Sequence, residues 1–93
     1  MSEKTAASLA QIDTLIPLLT SMPPGPEREE LVEEAQSLRR AIAAFHMEAI
    51  RFRMFNVERL LLRSGNDAAQ AVFDALRHEL ETAGFHTRSH AAP

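Results

Sequence analysis

The chain has no cysteine, no tryptophan and no tyrosine, and only three glycines among its 93 residues. Without cysteine there is no disulfide bond, thiolate metal site or thiol nucleophile, and this fits a reducing compartment. Without Trp or Tyr, stacking on nucleic-acid bases would fall to five Phe residues. No glycine-rich phosphate loop or serine elbow is present. We therefore predict that the chain is not an enzyme.

Two further absences concern positive charge and long apolar runs. The formal net charge is −3, whereas nucleic-acid binders need a basic surface to neutralise phosphates. No apolar run approaches the roughly 20 residues needed to cross a bilayer, and no basic segment precedes an apolar signal core. The sequence thus predicts a cytoplasmic protein without a nucleic-acid or membrane partner.

What the sequence does contain is the hydrophobic periodicity of helices. Apolar residues at spacings of three and four begin near the N-terminus, with Pro17 as an interruption, and a Pro-rich segment follows at 22–26. Beyond it, no Gly or Pro occurs before Gly65. The pattern predicts an all-α domain with three helices, at about residues 5–21, 26–64 and 67–83.

The C-terminal end of the third helix carries a specific stop signal. We expect Gly84 to end the helix in a Schellman motif, with Phe85 folded back onto Leu80. Residues 86–93 have little apolar content and are predicted to form a flexible tail.

The predicted middle helix is too long for one small chain to cover. At about 1.5 Å per residue, its roughly 39 positions would span about 58 Å. A compact monomer of this length has a radius of gyration of only about 12–13 Å. We therefore predict that a second copy completes the helical bundle, which makes the protein a homodimer of undetermined orientation.

Two apolar stripes run along this middle helix. One repeats in heptads and comprises Leu31, Ala35, Leu38, Ile42, Phe45, Ala49, Phe52 and Asn56. The other lies about 140° away at 100° per residue, and its members are Met47, Ile50, Met54, Val57 and Leu61. The first stripe supplies a predicted oligomer interface at Phe45, Phe52 and Asn56. Asn56 either fixes the register of a buried seam or marks its exposed end.

Arg39, His46 and Arg53 are seven residues apart and form a polar seam between the stripes. One interpretation is a cationic groove for an acidic ligand or a partner's carboxylate. The other is that the seam covers apolar surface and pairs with acids of the same chain. The acids considered are Asp13, Asp74, Glu79 and Glu81. The predicted partner-binding residues are Arg39, His46, Arg53, Met47, Ile50 and Met54.

The histidines are the candidate metal ligands of the sequence. His86 and His90 are four residues apart and His78 lies upstream, but no Cys or Glu-x-x-His pattern supports them. We therefore predict no metal and no cofactor. The predicted function is a small homo-oligomeric helical adaptor, chaperone or regulator that binds another protein. The alternative is a small-ligand or metal-binding bundle that uses the Arg39, His46 and Arg53 seam.

Overall fold

The computed structural model describes residues 3–87, with side chains from residue 5 onward. This part of the chain is all-α, as predicted, and contains no strand. It forms four helices: α1 (Glu3–Thr20), α2 (Pro26–Ala43), α3 (Met47–Ser64) and α4 (Asp67–Thr82). The predicted tail is described only at residues 86 and 87, and the rest of it lies outside the described residues.

Local signals set the junction between α3 and α4. Gly65 has a left-handed φ of 67°, and its N–H donates to the Leu61 carbonyl at 3.2 Å. Asn66 then caps α4, because its side-chain oxygen accepts from the Ala69 N–H at 3.1 Å. An αL glycine followed by an Asn cap is a sequence-readable helix junction.

The end of α4 has the hydrogen bonds of the predicted Schellman motif. Gly84 has φ 98°, and the Phe85 N–H donates to the Leu80 carbonyl at 2.8 Å. Phe85 and Leu80 are both buried in the core. The prediction for this terminus is therefore confirmed.

The continuous helix predicted over 26–64 is wrong, and with it the count of three helices. The chain turns at residues 44–46 and separates α2 from α3. At the turn, Phe45 adopts φ 58°, a left-handed conformation that a bulky residue seldom takes. Together with the extended backbone of His46, this residue separates α2 from α3.

Hydrogen bonds hold both sides of the turn. The Phe45 N–H donates to the Ile42 carbonyl and the His46 N–H to the Ala41 carbonyl, each at 3.0 Å. These are the two bonds of a Schellman motif, here with Phe in place of Gly. On the other side His46 caps α3, because its Nδ1 accepts from the Ala49 N–H at 3.2 Å.

Burial of apolar side chains explains why the chain turns without Gly or Pro. A non-glycine residue in the left-handed region costs about 1–2 kcal/mol. Each aliphatic side chain that becomes fully buried contributes roughly 1.5–3 kcal/mol. Folding α3 back onto α2 buries the first half of one stripe, from Leu31 to Ile42, together with most of the other stripe, which outweighs the local cost. The largest fully buried side chains are Ile12, Leu15, Leu19, Leu31, Leu38, Ile42, Ile50, Met54, Leu60, Leu61, Phe73 and Leu76.

The helices pack unevenly around this core. α1 packs against α2 and α4, α2 packs against α3, and the contact between α3 and α4 is smaller. The radius of gyration is 12.1 Å and the longest dimension is 34 Å. The described residues contain no helix of about 58 Å whose apolar surface a second copy would have to bury. The length of the predicted middle helix therefore no longer supports a dimer.

A buried ion pair connects α3 to α4 where their contact is small. Arg77 donates from Nη2 to Oε2 of Glu58 at 2.9 Å, and the two side chains are 14% and 3% exposed. Arg77 also donates to the hydroxyl of Thr87, and its guanidinium carbon lies 5.3 Å from the ring centroid of Phe73. The same guanidinium therefore connects α3, α4 and the segment that follows α4.

The relative stabilities of the Phe45→Gly and Phe45→Ala variants should show whether residue 45 is left-handed. In the left-handed conformation Phe45→Gly should be more stable than Phe45→Ala by about 1 kcal/mol, because glycine takes this conformation without a steric penalty. In a continuous helix the order would be reversed by a similar amount. Chemical denaturation measures the difference. The matched control is Ala71→Gly on the exposed side of α4, which should be destabilising; the same sign at both positions would contradict the turn.

Removing the cation of the buried pair should be costly. Arg77→Met takes away the guanidinium that Glu58 faces, and we expect a loss of about 3–5 kcal/mol in the free energy of unfolding. Adding Glu58→Met should recover much of this loss, because no charge then remains buried at the site. Urea denaturation of the single and double variants tests the point, and a double variant less stable than Arg77→Met would contradict it.

Candidate functional site

The turn separates the residues of the predicted cationic seam, so that each of them contacts a different part of the chain. Arg39 on α2 pairs with Asp13 on α1, with Nε to Oδ1 at 2.7 Å and Nη2 to Oδ2 at 3.3 Å. Arg53 on α3 donates from Nη1 to both carboxylate oxygens of Glu34 on α2, at 3.0 and 2.9 Å. Each arginine therefore links two helices of the same chain.

The Arg39–Asp13 pair is exposed but well aligned. The hydrogen bond from Arg39, with its charge, holds the pKa of the Asp13 carboxyl below its ordinary value. The same bond raises the pKa of Arg39. Of the acids considered in the sequence, Asp13 is the one that pairs with the seam, while the partner of Arg53 is Glu34.

The other predicted partner-binding residues lie elsewhere in the fold. His46 is exposed, and its ring accepts the capping hydrogen bond of α3. Met47 is half-buried, whereas Ile50 and Met54 are fully buried in the core of the single chain. A partner cannot reach Ile50 or Met54 without opening the bundle. The second stripe became core because the turn directs it against α2.

The predicted oligomer-interface residues lie at or near the surface. Phe45 is 47% exposed and Phe52 is 58% exposed, while Asn56 is half-buried. Phe45 packs edge-on against Phe85, with ring centroids 4.9 Å apart and an interplanar angle of 88°. The first half of that heptad pattern, from Leu31 to Ile42, is instead buried in the core.

The outer face of α3 holds a continuous stripe of exposed side chains. Its members, called here the α3 outer stripe, are Glu48, Phe52, Phe55, Arg59 and Leu62. Their spacings of four and three residues confine them to a sector of about 80° on the helix. Phe55 is 38% and Leu62 is 50% exposed. Among residues 5–87, every large apolar side chain that is exposed is on this stripe or, as Phe45, just before it.

Arginines border the stripe on both sides. Arg51 and Arg63 are exposed at its two edges, and Arg51 donates from Nε to the carbonyl of His86 at 3.2 Å. A shallow groove is lined by Glu48, Arg51, Phe52 and Phe55. The surface thus has an aromatic centre and charged margins.

Most of this face escaped the sequence prediction. Phe52 was identified, but Glu48, Phe55, Arg59 and Leu62 were not. A helical wheel drawn over residues 47–64 alone separates the outer stripe from the core stripe. The spacing that marks the outer stripe is present in the sequence, but it can be recognised only when the start of α3 is known.

Two other kinds of site are not found in the described part of the chain. Among residues 5–87, no three His, Asp or Glu side chains are grouped as metal ligands would be. His90, which entered the metal hypothesis, lies outside the described residues. No helix within residues 3–87 has the length and apolar character required to span a membrane.

Comparison with protein-family models, curated proteins and solved structures finds no match to this chain.

The Asp13–Arg39 pair should give a small, pH-dependent contribution to stability. Because the folded-state pKa of Asp13 is lowered, its contribution is present above the unfolded pKa and is lost as pH falls through the folded pKa. The pair is about half exposed, so Asp13→Asn should cost less than about 0.5 kcal/mol at pH 7. Denaturation at pH 7 and pH 2 measures the change, with Glu81→Gln as control. A cost that grows at acid pH would contradict this assignment.

Proposed function

We propose that this chain is a small non-catalytic helical interaction protein, acting as an adaptor, chaperone or regulator, and that it binds protein through the α3 outer stripe. The observation that carries the proposal is the segregation of exposed large apolar side chains. Among residues 5–87 they all lie on or beside one face of one helix.

Exposure of these apolar side chains to water is unfavourable in the single chain, and this supports a binding role. Soluble monomers seldom expose large contiguous apolar patches, and those that do commonly use them for binding. Phe52 leaves more than half of its side chain in water. An aromatic ring that becomes buried at the centre of an interface is a typical binding anchor. Within the chain, the Phe52 ring contacts the guanidinium of Arg53, whose carbon lies 5.2 Å from the ring centroid, and the rest of the ring is open to a partner.

Self-association belongs to this proposal. The basis for self-association is now the outer stripe instead of a long helix, and of the predicted oligomer interface Phe52 lies on this stripe and Phe45 lies just before it. We also propose a cytoplasmic location with no nucleic-acid or membrane partner, which follows from the charge and composition of the chain.

The ligand-binding alternative has less support. Arg39 and Arg53 both have carboxylate partners on neighbouring helices of the same chain. An acidic ligand at the seam would have to displace Asp13 and Glu34. His46 would also have to give up its capping hydrogen bond.

Site-specific photo-crosslinking tests the proposed binding face. Benzoylphenylalanine at position 52 should crosslink to protein in the cells of origin, whereas the same group at the exposed position Gln36 on α2 should not. Adding Leu62→Asp should reduce the yield at position 52, because the charge lies on the same face. Unfolding free energies should stay within about 0.5 kcal/mol, as expected for exposed positions. Equal yields at positions 52 and 36 would contradict the proposal.

A further inference from the structure

We infer that the partner of the α3 outer stripe is the same stripe of a second copy, packed antiparallel across a two-fold axis. The inference rests on the proposed function and specifies its partner. A two-fold contact is isologous, so one patch must be complementary to itself. The order of residues along α3 meets this requirement in shape and in charge.

The stripe is symmetric about its own midpoint. Phe52 and Phe55 lie on either side of the point between residues 53 and 54, each about 2 Å away along the helix axis. Glu48 and Arg59 lie about 8 Å from the same point, again on opposite sides. In an antiparallel pair, positions equally far from the midpoint meet across the axis.

The central layer of this contact is aromatic. Phe52 of one copy meets the partner's Phe55, and the symmetry repeats the contact on the other side. Both rings are exposed on the described surface and belong to the same sector of the helix. Aromatic pairs add stabilisation beyond that of the area that they bury.

The next layer out pairs opposite charges. Glu48 of one copy meets the partner's Arg59, and the two-fold axis produces this contact twice. Neither Glu48 nor Arg59 has an ion-pair partner among residues 5–87, and both side chains are exposed. A parallel arrangement would place Glu48 against Glu48 and Arg59 against Arg59, which is repulsive. The charges therefore select the antiparallel orientation.

The ends of the stripe extend the same pattern. Leu62 lies near the C-terminus of α3, and Phe45 lies just before its N-terminus at an equal number of residues from the midpoint. Both are about half exposed, and the antiparallel contact brings Leu62 to the end of the partner that carries Phe45. An acidic peptide would not match as well, because Glu48 lies within the stripe.

The length of the contact sets its expected strength. From Glu48 to Leu62 the helix rises about 21 Å, so one helix face forms a contact at the small end of specific interfaces. We expect a dissociation constant on the order of 10–100 µM. Sedimentation equilibrium from about 5 to 500 µM covers this range.

Charge reversal at the two positions gives the decisive experiment. Glu48→Arg alone places two arginines together in each symmetric contact, and Arg59→Glu alone places two glutamates together. Each variant should dimerise at least about tenfold more weakly than the original chain. An equimolar mixture of the two variants restores an opposite-charge pair in both contacts of the heterodimer. The mixture should therefore associate within about threefold of the original affinity.

The mixture also controls for folding. Both substitutions are on exposed side chains, and circular dichroism should show the same helix content as in the original chain. Arg63→Glu, at the edge of the same helix and outside the paired layers, is the matched charge control and should weaken association less than Arg59→Glu. Single variants that associate normally, or a mixture no stronger than either variant, would overturn the antiparallel pairing.

Two other occupants of the face would give different results. If the original chain stays monomeric at about 500 µM while position 52 crosslinks to a different protein, the proposed binding of another protein stands, whereas the proposed self-association and this inference fail. If the original chain is monomeric but a chain ending at Thr87 dimerises, the residues beyond 87 cover the face, and the inference fails for the whole chain. If position 52 crosslinks to nothing and the chain is monomeric, both proposals fail.

Discussion

The turn at residues 44–46 is the constraint on which the rest of the structure depends. It places Phe45 in a left-handed conformation and directs α3 back along α2. The first half of one apolar stripe thereby becomes the inner face of α2, and the other stripe becomes the inner face of α3. The same reversal presents the opposite face of α3 to solvent. The core and the candidate binding surface thus both depend on the backbone conformation of this turn.

The reversal also explains the roles of the charged residues. Arg39 and Arg53 would follow one line on a continuous helix, but in the folded chain each reaches a different neighbouring helix. Arg39 contacts α1 through Asp13, and Arg53 contacts α2 through Glu34. Their contacts lie within the chain, while the exposed charges of the outer stripe, Glu48 and Arg59, have no such partner among residues 5–87.

The position of α3 is held differently on its two sides. Against α2 it packs through apolar side chains, whereas toward α4 the contact is smaller and includes the buried Glu58–Arg77 pair. A buried ion pair as a whole contributes little net stability, but the loss of one partner is costly because the other charge stays buried. The outer stripe lies on the side of α3 away from the core, so these contacts leave it accessible.

The sequence alone determined the all-α class and the helix ends that depend on local chemistry. Pro26 at the start of α2, Gly65 with Asn66, and Gly84 act through φ preferences and nearby hydrogen bonds, so they could be predicted. The turn could not be predicted from propensity, because residues 43–46 include neither Gly nor Pro. The only sequence signal of the turn is that the apolar residues change their position around the helix between Ile42 and Met47.

Only the tertiary structure decided which apolar residues became core and which remained at the surface. Ile50 and Met54 are buried because α3 folds onto α2, and Phe52 is exposed for the same reason. In the sequence all three are apolar residues of one helical segment. Their fates differ because burial depends on which side of α3 meets another helix, and that is settled by the packing energy of the whole core.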